Sequence, residues 1–407
     1  MKLKLADRME NIKASEIREL LKLTEDPDII SFAGGLPAPE LFPIKEIEEV
    51  ASDTILKEGK IALQYSTTEG YSLLREIIAK ERINGGYIKA DANKILITNG
   101  SQQTLDFTGK LFINPGDVIS CESPTYLGAI NAFNAYNPHF VELPMDDEGI
   151  IIEYLIAAIN KYPNAKFLYT IPDYQNPSGI TLSMDRRKEI AKLSEMYELP
   201  VIEDSPYSEL TFHGETLPSI KSFDKGGYVI QLGSFSKTFC PGFRIGWIFA
   251  ENDILQKYIL IKQGADLQSS TLDQRIIANY LKIHSLDKHI LKLRKTYKKR
   301  RDVMLDTMKR YFPKDVKYTY SKGGLFTWVE LPSYIDTKIL LEEALEYKVA
   351  FVPGSSFFPT EKKNNFMRLN YSNMSEDKII LGIIRLSEII SKHCNASSEK
   401  SDTVIKV

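Results

Sequence analysis

Apolar positions in the first two thirds of the chain alternate between short runs and stretches of helical spacing. Ile95-Leu-Ile-Thr is followed by the turn Asn99-Gly-Ser-Gln and a helical stretch from Gln103 to Leu111. Asp117-Val-Ile-Ser-Cys leads to Ser123-Pro-Thr-Tyr126 and a helix through Phe133. Phe167-Leu-Tyr-Thr-Ile ends at Pro172, and Asn176-Pro-Ser-Gly179 precedes a helix from about Met184. Val201-Ile-Glu-Asp204 is a short buried strand ending on an acid. Short strands alternating with helices predict an α/β fold, with a mainly parallel sheet in a large domain and helices on both its faces.

Outside that region the rhythm changes. Residues 11–23 place Ile17, Leu20 and Leu21 on one stripe of an amphipathic helix, which Asp26-Pro27 ends. Ile29 to Phe32 reads as a short strand, and Ala33-Gly-Gly-Leu-Pro-Ala-Pro as a rigid turn where backbone can approach a ligand closely. Residues 44–58 and a stretch from Ser72 are helical, with the polar loop Tyr65 to Gly70 between them. Residues 285–310 spell a long basic helix whose charges read as a solvated face. Strands around Tyr318, Phe326 to Leu331 and Val349 to Val352, with a helix near 338–347, read as a smaller α+β domain. The polar stretch from Cys394 on is expected to be disordered.

Composition narrows the function classes. The chain has 407 residues, 43% of them hydrophobic, enough for two domains. Its 52 basic and 54 acidic residues leave a formal charge of −2, which gives no electrostatic case for nucleic acid or an anionic membrane. No transmembrane-length or signal-like apolar run occurs, so a cytoplasmic location is expected. Cys121, Cys240 and Cys394 form no CxxC pair, and the five histidines are scattered, so neither a disulfide framework nor a metal site is expected.

The chemistry concentrates in Gln231 to Trp247, a buried strand, a small-residue turn with Lys237, a Pro-Gly break, Arg244 and a second apolar strand. Lys237 is either a surface turn residue or an amine held in a pocket. Ser234, Ser236 and Arg244 favour the pocket, because hydroxyls and a guanidinium around one amine suit a bound phosphate. A phosphate beside a reactive amine points to a Schiff-base cofactor. Other polar residues fall at carboxyl ends of the expected strands, where open α/β sheets bind ligands. Each has a plain alternative. Ser101 and Gln102 open a helix, as an N-cap or as a phosphate site. Tyr126 is a packed tyrosine or a platform for an aromatic ring. Asn176 belongs to a turn or donates to a phenolate oxygen. Asp204 caps, makes an ion pair, or faces a protonated pyridine nitrogen, with Tyr207 close by. Together, the strand-end carboxylate, the Ser-x-Ser-Lys turn and an arginine seven residues past the lysine are what pyridoxal phosphate requires.

The chain resembles the fold-type I, class I and II aminotransferases over nearly its whole length. The residues that carry this are Asn176-Pro-Ser-Gly179, Asp204 with Tyr207, and Ser234 to Arg244. It is closest to the 2-aminoadipate and kynurenine branch, through Ala14 to Leu21, Ser31 to Pro43, Leu63-Gln-Tyr-Ser, Thr68-Glu-Gly70, Gly100-Ser-Gln-Gln, Gly264-Ala-Asp-Leu and Met367-Arg-Leu-Asn-Tyr. The resemblance implies that Lys237 is the catalytic, cofactor-bonded lysine. Asp204 would pair with the pyridine nitrogen, Asn176 and Tyr207 would hold the ring oxygen, and Tyr126 would stack on the ring. Ser101, Gln102, Ser234, Ser236 and Arg244 would cradle the phosphate. Tyr65 would reach the phosphate of a neighbouring subunit, which makes the enzyme a homodimer with shared active sites. Arg368 would clamp the substrate α-carboxylate, with Asn176 and Gly35 lining the same site. Ser15 and Arg18, on a helix over the pocket, would select the side chain, although Arg18 also fits a solvated helix face. The implied domains are 46–290, binding the cofactor, and a small domain of 1–45 with 291–407. Two departures stand out, Ser178 where threonine is commoner and Cys240 where a small or apolar residue is usual.

The implied activity is ping-pong transfer of an amino group from an L-amino acid to 2-oxoglutarate or another 2-oxo acid. Candidate donors are 2-aminoadipate, glutamate, aromatic and branched-chain amino acids. A β-lyase or decarboxylase on the same scaffold is the rival. A regulator of this fold would need a winged-helix domain, and about thirty residues, too few for one, precede Ser31.

Overall fold

The computed structural model describes residues 3–12, 20, 26–83 and 88–404, with side chains through 394. Most of the helix expected over 11–23, with Ser15 and Arg18, lies outside the described residues. The strands are β1 (Ile30–Ser31), β2 (Ile95–Thr98), β3 (Val118–Ser123), β4 (His139–Asp146), β5 (Gly149–Ile150), β6 (Leu168–Thr170) and β7 (Val201–Asp204). Then follow β8 (Val229–Ser234), β9 (Gly246–Phe249), β10 (Lys317–Tyr318), β11 (Phe326–Glu330), β12 (Val349–Ala350), β13 (Val352–Pro353) and β14 (Phe366–Asn370).

Eight of them form one sheet in the order β2-β9-β8-β7-β6-β3-β4-β5. From β8 to β4 every neighbouring pair is parallel, while β9 runs antiparallel to both β8 and β2. The cause is the connection: Phe235 to Ile245 is too short for the crossover that parallel neighbours need. β6 to β8 are fully buried, which explains why each opens on adjacent apolar residues rather than on an apolar–polar alternation. Helices Ser101–Phe112, Leu127–Asn134 and Met184–Met196 follow strands and bury one side each. Thr98 and Ser234 both pair with Gly246, so the carboxyl ends of β2 and β8 lie on one row. The ends of β3, β6 and β7 share that edge, and the site is built there.

A second, antiparallel sheet has the order β10-β11-β14-β13, and β1 pairs with β12 in parallel. Arg368, on β14, stands opposite Trp328 and Val352. One continuous apolar core joins residues of both sheets, from Leu96 and Tyr169 to Met367 and Ile390. Two expectations fail. The basic helix, Leu286–Tyr311, does not keep all its charges in water: Arg300 and Arg301 are buried. They reach carbonyls that sequence spacing cannot reveal, Ser372 O and Ser321 O respectively. The described part of the polar end is helical backbone: the helix Glu376–Val404 runs into it, and over its earlier turns that helix buries Ile379, Ile383, Leu386 and Ile390. Among the described residues no helix is long and apolar enough to cross a membrane. No group of three or more His, Cys, Asp or Glu among them is arranged to hold a metal ion.

Candidate active site

Lys237 leaves the link between β8 and β9 and turns inward. Its Nζ donates to Gly35 O at 2.7 Å, so it is the held amine rather than a surface turn residue. Burial, with smaller contributions from the positive charges of Arg368 and Arg244, lowers its pKa to about 8. Arg368 is 1% exposed. Its Nη1 donates to Asn176 Oδ1 at 2.8 Å and its Nη2 to Ala33 O at 2.6 Å, while Nε has no partner among the described residues. The guanidinium lies over Phe326 at 4.3 Å and near Phe357 at 5.2 Å. Burial lowers its pKa to about 10. Both cations therefore rest on neutral acceptors, two of them supplied by the Ala33-Gly-Gly turn. Among the described residues no carboxylate pairs with either. Phe326 also underlies Gly35, where a Cβ would come within 3.1 Å of its ring.

Asp204, at the end of β7, is 1% exposed. Among the described residues it is neither a cap nor half of an ion pair. Oδ2 accepts from the Tyr169 hydroxyl at 2.9 Å, and Oδ1 is buried without a partner among the described residues. Burial raises its pKa to about 7. Asn176 Nδ2 donates to Tyr207 Oη at 3.3 Å, and both residues are buried. Tyr126 opens the helix Leu127–Asn134 within electrostatic reach of Tyr207 and Arg368.

Beside Lys237 lies a cradle of donors. Ser234 Oγ accepts from the Ser236 amide at 3.0 Å, which folds the turn before the lysine. Pro241–Phe243 form a single turn, and Arg244 leaves it with φ 54° and ψ 38°. That left-handed residue sends the guanidinium back towards Ser236 Oγ at 3.5 Å and Asn99 O at 3.4 Å. These are long contacts, so donors remain for an anion. Gly100 has φ +74°, and a Cβ there would sit 2.5 Å from Arg244 Nη2. The left-handed backbone favours glycine here, and the turn places the start of the helix Ser101–Phe112 beside the arginine. Gln102 Nε2 instead donates to Gly128 O at 2.9 Å, tying that helix to the Tyr126 segment.

The fold thus gathers Lys237, Asp204, Asn176, Tyr207, Arg368, Gly35 and Tyr126 in one cluster, with Ser101, Ser234, Ser236 and Arg244 at its edge. Tyr65 is 79% exposed, and no described contact takes it to that cluster. Cys240 is buried, and burial pushes its thiol up to about 12, so it is no ready target for alkylation. Sequence reasoning missed Tyr169, Phe326 and the carbonyl of Ala33. It also missed Glu122, which accepts from Thr170 Oγ1 at 2.6 Å and from Gln175 Nε2 at 2.9 Å. Gln175 Nε2 also donates to Pro124 O at 2.7 Å, and its Oε1 accepts from the Ser178 amide at 2.9 Å, so it braces both loops of the site. An acid inside the run Cys121-Glu122-Ser123 was the available signal.

The residues present fit pyridoxal phosphate. An unpartnered buried carboxylate oxygen suits a ring N–H, the donor cradle suits a phosphate, and an amine stands beside it. Comparisons with known proteins agree. The family model "Aminotransferase class I and II" matches residues 28–383. An aromatic-amino-acid aminotransferase of Thermococcus litoralis is 46% identical over 388 residues, 94% of this chain and 92% of the relative. A 2-aminoadipate transaminase of Thermus thermophilus is 41% identical, over 93% of this chain and 94% of its own. The crystal structure of a kynurenine aminotransferase of Pyrococcus horikoshii, in complex with PMP, superposes with a TM-score of 0.91. It is 43% identical and covers 96% of this chain and 97% of its own.

Proposed function

The chain belongs to the class I and II aminotransferases, which work with pyridoxal phosphate, and on that premise we propose how its residues divide the labour. Bound pyridoxal phosphate supplies an electron sink for the charge left when a substrate Cα loses its proton. Lys237 Nζ carries the cofactor at rest and moves the proton to and from Cα. Its lowered pKa supports this role, since an amine that gives up its proton near pH 8 can serve as a base. Asp204 Oδ1 accepts from the ring nitrogen and keeps it protonated. Asn176 and Tyr207 hold the ring oxygen, and Tyr126 covers the ring face. Ser101, Gln102, Ser234, Ser236 and Arg244 bind the phosphate. Arg368, with Asn176 and Gly35, receives the substrate α-carboxylate. The observation that carries this reading is the pair of cations on neutral acceptors beside an unpartnered carboxylate oxygen.

The donor is an L-amino acid and the acceptor 2-oxoglutarate or a related 2-oxo acid. The relatives' names support 2-aminoadipate, kynurenine and aromatic donors. Ser15 and Arg18 are proposed to choose among them. Residues 46–290 form the cofactor domain, and 1–45 with 291–407 the small domain. Tyr65 is proposed to complete the site of a second copy; exposed Leu56, Ile61 and Leu63 precede it in the chain, and exposed Leu267 adjoins Gln268, which accepts from the Ser66 amide, so these segments offer that copy apolar side chains. Three free thiols and no disulfide among the described residues support a cytoplasmic location. The test is an amino-donor panel against 2-oxoglutarate, with Lys237→Ala beside the wild type. Wild type is expected to form glutamate, and the variant to bind pyridoxal phosphate yet lose turnover by roughly 10³-fold or more. Near wild-type turnover in Lys237→Ala, or ammonia and pyruvate in place of a transamination product, overturns the reading.

A further inference from the structure

We propose that Tyr169 is a positioning residue: its hydroxyl fixes the Asp204 carboxylate and so keeps Oδ1 available to the cofactor's ring nitrogen. The proposal rests on the role given to Asp204 above. In the parallel pair β6–β7, Tyr169 stands opposite Ile202, two residues before Asp204. Side chains alternate along a strand, so Tyr169 and Asp204 leave the same face. Tyr169 is fully buried, with its ring edge-on to Phe133 at 5.7 Å. Phe133 belongs to the helix that Tyr126 opens, and it packs in turn on Phe167 at 5.2 Å. The Tyr169 ring is thus locked, and its hydroxyl has one place to point. Among the described residues, that hydroxyl makes the one hydrogen bond to the Asp204 side chain.

The contrast with Glu122, one strand further along, is informative. Glu122 is equally buried but receives three donors, from Thr170, Gln175 and the Ile171 amide. A carboxylate meant to stay satisfied within the fold is surrounded in that way. Asp204 is held by one oxygen and left open at the other. Burial and the neighbouring Asp204 charge both raise the Tyr169 pKa, so the hydroxyl stays a donor across the working pH range. Its bond also favours ionised Asp204, the form that a protonated ring requires.

The test titrates apoenzyme with pyridoxal phosphate and with its 1-deaza analogue, in which carbon replaces the ring nitrogen. Tyr169→Phe removes only the hydroxyl. It is expected to weaken pyridoxal phosphate binding by about tenfold, the scale of one hydrogen bond to a charged group, and to leave the analogue's affinity unchanged. The pH profile of pyridoxal phosphate affinity is expected to move to higher pH in the variant. Phe133→Leu disturbs the same packing without touching Asp204, and is expected to affect both ligands equally. If Tyr169→Phe affects both ligands equally, or neither, the proposal is overturned. Asp204→Asn separates the two levels. If it abolishes the preference for the nitrogen-bearing ring while Tyr169→Phe does not, only Tyr169 loses its role. If Asp204→Asn keeps that preference, the reading of Asp204 falls and the proposal with it.

Discussion

Two buried arginines, Arg187 and Arg368, show how differently this fold treats a charge. Arg187 is fully buried on the helix Met184–Met196. Its Nε donates to Leu182 O at 3.0 Å and its Nη1 to Pro218 O at 3.0 Å. Its Nη2 reaches Pro172 O at 2.9 Å and Asp173 Oδ1 at 2.6 Å. Every nitrogen is used, and a carboxylate balances the charge. Arg368 is as deep, yet it has two neutral acceptors, a bare Nε and no carboxylate among the described residues. Burying a charge is costly unless it is paired and fully bonded. A fold tolerates an exception where the missing partner is a ligand. Arg187 is a device for holding the Pro172 and Leu182 loops together; Arg368 is a device for binding.

The largest test of that contrast is to neutralise each in turn. Arg187→Met leaves Asp173 buried and unpaired, and is expected to cost about 3–5 kcal/mol of stability, read from denaturant unfolding of the apoenzyme. Arg368→Met removes a charge that nothing compensates while stranding two acceptors, so these effects offset and stability is expected to change by about 1 kcal/mol or less. The functional order is the reverse: Arg368→Met is expected to raise KM for amino acid and oxo acid by about a hundredfold, the value of a charge-assisted carboxylate contact. Equal destabilisation by the two substitutions would erase the distinction.

The same contrast marks how far the sequence could be read. The strand–helix alternation, the Lys237 turn and the acid at Asp204 were legible, because period, small residues and strand ends leave a local trace. The partners were not. Gly35 O and Ala33 O come from a segment more than 200 residues before Lys237, and a backbone carbonyl has no signature in sequence. Phe326 read as one apolar residue in a strand. Arg300 and Arg301 read as solvated because charge spacing carries no record of Ser372 O or Ser321 O. What distinguishes Arg368 from Arg187 is the count of satisfied donors, which only three-dimensional neighbours supply.

A smaller effect sharpens the comparison on the acidic side. Burial raises Asp204 from 3.8 to about 7 in the fold. Between those values the unfolded chain has released a proton that the folded apoenzyme still holds. Its contribution therefore lowers stability as pH climbs through that window, and the loss is complete above about pH 7. Asp204→Asn removes the titration. The apoenzyme variant is expected to melt above wild type at pH 8, with the difference closing towards pH 4. A gap independent of pH would mean that Asp204 is not the strained, ligand-ready carboxylate described above. Adding pyridoxal phosphate at pH 8 is expected to raise the wild-type Tm more than that of the variant, because the ligand satisfies Oδ1 only where there is a carboxylate.

The smallest expected effect concerns a residue close to the site in sequence and remote from it in chemistry. Cys240 lies three positions past Lys237, but its side chain belongs to an apolar cluster with Phe239, Ile245 and Trp247. Phe239 stacks on Phe243 across the same turn, with centroids 5.5 Å apart. Burial moves the thiol from 9.0 to about 12, so its reactive thiolate is scarcer by about a thousandfold than that of an ordinary cysteine at neutral pH. Iodoacetamide at pH 7.5 is expected to leave activity unchanged and Cys240 unlabelled in the folded protein, with full labelling in denaturant, as mapped by peptide mass analysis. Labelling of native Cys240 at the rate of a free thiol would show the turn between β8 and β9 opening readily. The phosphate cradle would then be an adaptable loop, with Ser236 and Arg244 ordered by the ligand rather than set in place before it arrives.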